Sequence, residues 1–408
     1  MTPQHVLIVG ASLAGVRTAE ALRAKGFAGE LTIVGAENVV PYDRPPLSKG
    51  YLEGKRTAEQ LALRPTDPLL QSLNVRMVLG TAASGLDLDN RQVSLSTGDS
   101  VSFDALVIAS GTSPRVLPGT ADLPGVHTIR NLGDADALRP KLVSDAKVVI
   151  IGAGFIGAEV ASTAKSAGAD VTVLEAVPIP LSRQLGDEMG TAVAAFHQRN
   201  GVTLRVACSV SHLTATHVHL ADGEALPFDA CVVGVGVQPN TEWLDQSRMD
   251  TSDGVLCDSS LRVIVDGSPD PRIVAIGDIA RWVNPRYEYE GPVRVEHWTN
   301  AVESAEHAAT TLLATSSSAE PFAPVPYFWS DQYGNKIQFL GRAHGFDEVA
   351  VVSGSTDGKF VVLYRRGDRL VAALGVSSVK TVMGYRRRLL DGCSWSEALA
   401  AVDATRNN

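Results

Sequence analysis

The chain has 408 residues, enough for two or three domains of ordinary size. Apolar residues make up 45% and charged residues 20%, the formal net charge is −9, and no run of about eighteen apolar residues occurs. That balance speaks against a membrane-spanning protein and against a nucleic-acid binder, which needs excess cation to meet phosphates.

In chain order, the sequence passes from "MTPQH" straight into strand-like "VLIVG" without a basic stretch or a cleavage-site pattern, so no signal peptide is expected. The four cysteines, Cys208, Cys231, Cys257 and Cys393, form no close pair. Metal binding and dithiol exchange both favour such pairs, and scattered thiols suit a reducing compartment. A cytoplasmic protein is the expectation.

The first element is "IVGASLAG", residues 8–15, a strand running into a glycine turn. A dinucleotide cradle needs a buried strand, a tight turn, and a helix whose N-terminus faces the pyrophosphate. Gly10 and Gly15 hold two of the three glycine positions and Ser12 stands at the middle one. Serine still permits close approach if its φ is negative. Leu13 and Ala14 complete the turn, the helix "AGVRTAEALRAKG" follows, and "ELTIVG" is the second strand. Ala36 sits where a ribose-binding acid is expected, and Glu37 comes one residue later, so Glu37 is assigned to the ribose.

A second cradle fits every requirement. "KVVII" is its strand, and Gly152, Gly154 and Gly157 are its three glycines. "FIGAEVASTAKSAG" reads as a helix with Ile156, Val160 and Ala164 on one face and Gly168 as its stop; Phe155 opens it. "DVTVLE" is the second strand, ending in Glu175. A carboxylate there accepts from a 2′-hydroxyl and repels a 2′-phosphate. No Arg or Lys follows closely, so NADH is expected over NADPH. Further on, "THVHLADG" reads as a strand near a hairpin, and "LATSSSAEPFAPVP", residues 313–326, as a linker. Beyond it "KIQFLGR", "EVAVVS", "KFVVLYRR" and "RLVAALGV" alternate like antiparallel strands, and "VKTVMGYRRRLLDG" and "SWSEALAAVDA" read as two helices.

Two cradles in this order resemble the FAD-dependent pyridine nucleotide-disulfide reductase superfamily. "ALVIASGTSPR", residues 105–115, is similar to its strand and turn leaving the flavin domain, with Ala109, Ser110 and Gly111 at the usual "ATG". "RIVAIGDIA", residues 272–280, is similar to its second flavin signature, where Asp278, after Gly277, would hold the ribityl chain. Three stretches narrow the resemblance to NADH-dependent ferredoxin reductases: "PYDRPPLSKGYL" at 41–52, "VRVEHWTNAVESA" at 293–305 and "YFWSDQYG" at 327–334.

The resemblance implies an α/β, glutathione reductase-like fold: two Rossmann-type dinucleotide-binding domains plus a C-terminal α+β domain. Residues 1–114 and 243–319 would bind FAD, 115–242 NADH, and 320–408 would form the third domain. It implies that Lys49 lies near the flavin N5, where its charge favours the reduced ring, and that Glu159 faces the nicotinamide and pairs with Lys49. It also implies cofactor contacts at Arg44, Ala82, Arg130, Gly236, His297, Trp298 and Trp329, the last by stacking. The activity implied is electron transfer from NADH through FAD to a 2Fe–2S ferredoxin serving a cytochrome P450 or a Rieske-type oxygenase. A disulfide reductase or NADH peroxidase needs a redox cysteine beside the flavin, and none precedes Cys208. Rubredoxin or monodehydroascorbate reduction stays open, as does an NADH-responsive binding role like that of the apoptosis-inducing factors.

Between residues 359 and 393 lie eight basic residues and two acidic ones, against the sign of the whole chain. Arg365, Arg366, Arg369, Lys380, Arg386, Arg387 and Arg388 are candidates to meet an acidic ferredoxin. Consecutive arginines on a helix point about 100° apart, so at most two of the last three can face one partner.

Overall fold

The structure, a computed structural model, describes residues 3–63, 73–314 and 319–406. The chain divides into two compact units, one of Met1–Asp43, Ala58–Ser113 and Gln238–Pro326, the other of Arg44–Thr57, Pro114–Val237 and Tyr327–Asn408.

The first unit is built on a six-stranded sheet in the order Arg262–Val265, Ser268–Ala275, Ala105–Ile108, His5–Val9, Glu30–Gly35, Val75–Leu79. The last five run parallel; Arg262–Val265 pairs antiparallel with its neighbour. Val6, Leu7, Ile8 and Val9 are all buried, as a central parallel strand covered on both faces demands. The helices Leu13–Ala24 and Trp298–Leu313 pack against each other beside it. Residues 261–273, "LRVIVDGSPDPRI", form a hairpin whose two turn residues, Asp266 and Gly267, both have positive φ (50° and 80°), as such a two-residue turn requires.

The second unit carries a five-stranded parallel sheet in the order Thr203–Arg205, Asp170–Leu174, Lys147–Ile151, Ala230–Val233, Val126–His127. The expected histidine strand is His217–Leu220, in a small antiparallel sheet where the His212 and His219 rings stack at 4.3 Å. The C-terminal sheet is antiparallel, in the order Tyr327–Gln332, Asn335–Gly341, Arg369–Val376, Phe360–Arg366, Glu348–Gly354.

Three sequence expectations need correction. The strands Phe360–Arg366 and Arg369–Val376 do not alternate: Phe360 through Tyr364 and Leu370 through Val376 are buried continuously. One face meets Met189, Val193 and Phe196 of the helix Asp187–Arg199, and Val382 and Leu389 of the last helices are buried as well. The expected helix over 379–392 is two, Val379–Met383 and Tyr385–Asp391, because Gly384 falls between them. Ile156 does not share the buried face of the helix Phe155–Ser166; it is 49% exposed while Val160 and Ala164 are fully buried. Its neighbours on either side turn inward instead, Phe155 against the Phe328 ring with centroids 4.5 Å apart and Gly157 buried on the Gly152 carbonyl. Within the expected linker, residues 315–318 fall outside the described residues.

Candidate functional site

In the first unit, the strand His5–Val9 ends at Gly10, which has φ +128° and donates its N–H to the Val34 carbonyl at 2.8 Å. A side chain there would collide with the Ala109 carbonyl, and a Cβ at Gly15 would overlap the Gly10 carbonyl. Strand end, turn and helix therefore meet backbone to backbone, which only glycine allows. Ser12 has φ −116° and ψ −163°, an extended conformation open to any residue, so serine fills the middle position without strain. The first turn of the helix Leu13–Ala24 leaves the N–H groups of Leu13, Ala14 and Gly15 without intrahelical acceptors, as every helix start does.

The groups around this turn are held by their neighbours. Asp278 stands half-buried in the short turn Gly277–Ile279 and accepts from the Thr112 hydroxyl at 3.2 Å; the Gly277 N–H donates to Ser304 at 3.1 Å. Glu37 accepts from the Tyr42 hydroxyl at 2.6 Å. Trp298 opens the helix Trp298–Leu313 behind His297 as N-cap, and its indole N–H donates to Asp43 at 2.7 Å. Asn240 stitches the turn at Ala109, Ser110 and Gly111, donating from its amide to the Ser110 carbonyl at 2.8 Å and from its backbone to the Gly111 carbonyl at 3.0 Å. The Ala82 N–H is directed to Ser96 at 3.1 Å. A backbone stripped of Cβ atoms, a helix start and carboxylates to either side fit the pyrophosphate and hydroxyls of a dinucleotide.

The second unit repeats the arrangement. Gly152 packs on Gly234, and Gly157 on the Gly152 carbonyl. Gly154, the extended N-cap of the helix Phe155–Ser166, would have nothing within 4 Å of a Cβ, so space lies open in front of the helix start. Glu175 accepts from the N–H of Ala153 at 2.9 Å through Oε2 and from that of Val177 at 3.1 Å through Oε1. Each oxygen keeps acceptor capacity for a hydroxyl. Arg44 and Arg130 are brought together, the Arg44 guanidinium donating to the Arg130 carbonyl at 2.6 Å. Gly236, at φ +101°, accepts the Arg115 N–H at 2.9 Å.

The expected pair of Lys49 and Glu159 is present, Nζ to Oε1 at 2.9 Å. Glu159 is 3% exposed and receives further donors: the Ser330 hydroxyl at 2.7 Å and the Asp331 N–H at 3.2 Å on Oε1, and the Ser48 hydroxyl at 2.5 Å on Oε2. Lys49 also donates to the Pro45 carbonyl at 3.3 Å and lies 4.0 Å from Asp331, which pairs with Lys336 at 3.0 Å. Trp329 shares its strand with Ser330, its ring 6.0 Å from that of Tyr327. Sequence reasoning missed Ser48, Ser330, Thr112, Asn240 and Asp43. Ser48 and Ser330 lie inside the stretches quoted above, but a lone hydroxyl carries no spacing signal of its own.

Of the basic candidates, Arg365 pairs with Glu348 at 2.9 Å, Arg366 donates to the Gly345 carbonyl at 3.1 Å, and Arg388 donates to the Gly384 carbonyl at 3.1 Å and covers the Tyr385 ring. Arg387 pairs with Asp391 at 2.8 Å yet stays 82% exposed.

Residues 4–305 match the family described as pyridine nucleotide-disulphide oxidoreductase, and residues 327–406 the family described as reductase C-terminal. The chain belongs to the pyridine nucleotide-disulphide oxidoreductases. Rhodocoxin reductase of Rhodococcus erythropolis is 37% identical over 391 residues, covering 94% of this chain and 89% of the relative. Putidaredoxin reductase of Pseudomonas putida is 35% identical over 379 residues, covering 90% and 87%. Among solved structures, the covalent putidaredoxin reductase–putidaredoxin complex matches with a TM-score of 0.91 and 32% identity, covering 99% of both chains. As a member of this family the chain is an oxidoreductase that uses FAD and a nicotinamide dinucleotide.

Despite the family's name, this member has no thiol pair. All four cysteines are free, and burial pushes Cys231 up to about 12 and raises Cys257, Cys208 and Cys393 as well. Among the described residues no helix is long and apolar enough to cross a membrane.

Proposed function

We propose that this chain is an NADH-dependent ferredoxin reductase, passing electrons to a 2Fe–2S ferredoxin that feeds a cytochrome P450 or Rieske-type oxygenase. The observation that carries the reading is a pair of complete dinucleotide cradles in a chain whose cysteines are unpaired and protonated. Electrons taken from the nucleotide find no disulfide in the chain, so they leave to a separate carrier. Relatives named for rhodocoxin and putidaredoxin support a ferredoxin as that carrier. The flavin, when bound, accepts an electron pair as hydride and releases single electrons.

The protein's part is binding and electrostatics. Residues 1–114 and 243–319 hold FAD: the helix start at Leu13, Ala14 and Gly15 faces its pyrophosphate, Asp278 accepts from its hydroxyls, and Glu37 takes the ribose. Residues 115–242 hold NADH, with Phe155, Ile156 and Gly157 at the helix start and Glu175 on the adenosine ribose. A 2′-phosphate would meet the Glu175 carboxylate, which selects NADH over NADPH. Lys49 supplies a fixed cation held by Glu159. Scattered thiols suit the cytoplasm as its compartment.

The test is direct. Release and identify the chromophore of the purified protein, then follow anaerobic reduction by NADH and turnover with an added 2Fe–2S ferredoxin. The expected result is FAD, rapid bleaching by NADH, and ferredoxin-dependent turnover. An FMN chromophore, or a flavin that NADH does not reduce, overturns the reading.

A further inference from the structure

Glu159 is held by four donors, which come from two stretches of chain far from it in sequence, Ser48 with Lys49 and Ser330 with Asp331. Ionised carboxylates offer about four acceptor positions. Here four donors meet them: the Ser330 and Ser48 hydroxyls, the Asp331 N–H and the Lys49 ammonium. Three of these are neutral donors, arranged around the oxygen pair to which Lys49 is attached.

Both hydroxyls are themselves oriented. Ser330 has no exposure, and the amide of Gln332, 1% exposed, donates to its oxygen at 3.1 Å. With that lone pair taken, the Ser330 proton is directed to Glu159. Ser48 is 3% exposed, and its backbone carbonyl accepts the Thr163 hydroxyl at 2.9 Å. Glu159 and Thr163 are four residues apart and lie on one face of the helix Phe155–Ser166, so residues 44–57 are fastened to it at two successive turns.

We propose that Ser330, from the C-terminal sheet, and Ser48 are positioning residues for the hydride-accepting site: they fix the Glu159 carboxylate in one orientation, and through it the Lys49 ammonium. The C-terminal sheet thereby contributes to NADH oxidation. This rests on the proposed NADH and FAD chemistry. A carboxylate without the two hydroxyls can rotate about its last bond, and the ammonium moves with it. Neither serine touches a reacting atom, so removing one weakens placement rather than nucleotide binding.

The experiment compares Ser330→Ala, Ser48→Ala, Glu159→Gln and the double variant Ser330→Ala/Glu159→Gln as FAD-loaded proteins. Two quantities are read: the single-turnover rate of flavin reduction by NADH, and the flavin midpoint potential, which responds to the cation without any turnover. Losing a hydrogen bond to a charged group predicts a rate about tenfold lower in Ser330→Ala, with the NADH concentration for half-saturation little changed. The potential shifts in the same direction as in Glu159→Gln. In the Glu159→Gln background the serine change adds nothing further, because it acts only through that carboxylate. Ser330→Thr, which keeps the hydroxyl, restores the potential. Multiplying losses in the double variant, or an unshifted potential in both serine variants, overturns the proposal. Wild-type flavin that NADH fails to reduce refutes the reductase reading instead, so the two failures are separable.

Discussion

Replacing Lys49 by methionine keeps most of the side-chain volume and removes the cation beside a carboxylate that is 3% exposed. Removing one partner of a fully buried ion pair costs about 3–5 kcal/mol. Two features reduce that figure here. Lys49 is 20% exposed, so water screens part of the attraction. Glu159 also keeps three donors, from Ser330, Asp331 and Ser48, and is not orphaned. A loss of roughly 2 kcal/mol follows, since each remaining bond to the charged oxygens stabilises it by roughly 1.5–3 kcal/mol. Thermal unfolding of the FAD-loaded protein, followed by circular dichroism, should show a midpoint lower by on the order of 2 °C. Lys49→Met/Glu159→Gln should recover part of the loss, because the neutral amide no longer needs a cation and the two serine hydroxyls can turn to suit it. A Lys49→Met midpoint equal to wild type, or a double variant less stable than Lys49→Met, would refute the account of the pair.

Glu175→Ala should narrow the preference for NADH over NADPH in kcat/KM, chiefly by improving NADPH; equal use of both nucleotides by the wild type would remove Glu175 from the ribose site. Burial pushes His197 down from its ordinary 6.5 to about 4, and its Nδ1 lies 2.7 Å from the Tyr333 hydroxyl. The unfolded chain therefore takes up this proton below about pH 6.5 and the folded protein only near pH 4, so stability present above pH 6.5 is lost as pH falls through that window, by about 3 kcal/mol. Urea midpoints measured against pH should slope less steeply there in His197→Phe, and an identical slope counts against the assignment. Arg386→Glu/Arg387→Glu should depress ferredoxin turnover steeply while leaving NADH-to-ferricyanide turnover nearly intact, and added salt should mimic it on wild type, since exposed charges are screened beyond about 8 Å at physiological ionic strength. No change with either acceptor would place the docking face elsewhere.

Both cradles could be read from the sequence because each is local. Strand, turn, helix and second strand follow within one short stretch, and the close backbone approaches at Gly10, Gly15, Gly152 and Gly157 admit no other residue, so sterics write them into the residue types. The second strands and Glu175 followed from the same pattern. Burial in the C-terminal sheet did not, because alternation reports one covered face and here both faces of Phe360–Arg366 and Arg369–Val376 are covered by helices whose placement depends on the whole fold. The set around Glu159 is the strongest case. Ser48 lies 111 residues before it and Ser330 171 residues after it, and nothing in the identity of either serine announces a partner so distant. Local sterics determined where the two glycine turns form; only tertiary packing, which desolvates one carboxylate and requires donors for it from whatever chain arrives, decided which residues hold it.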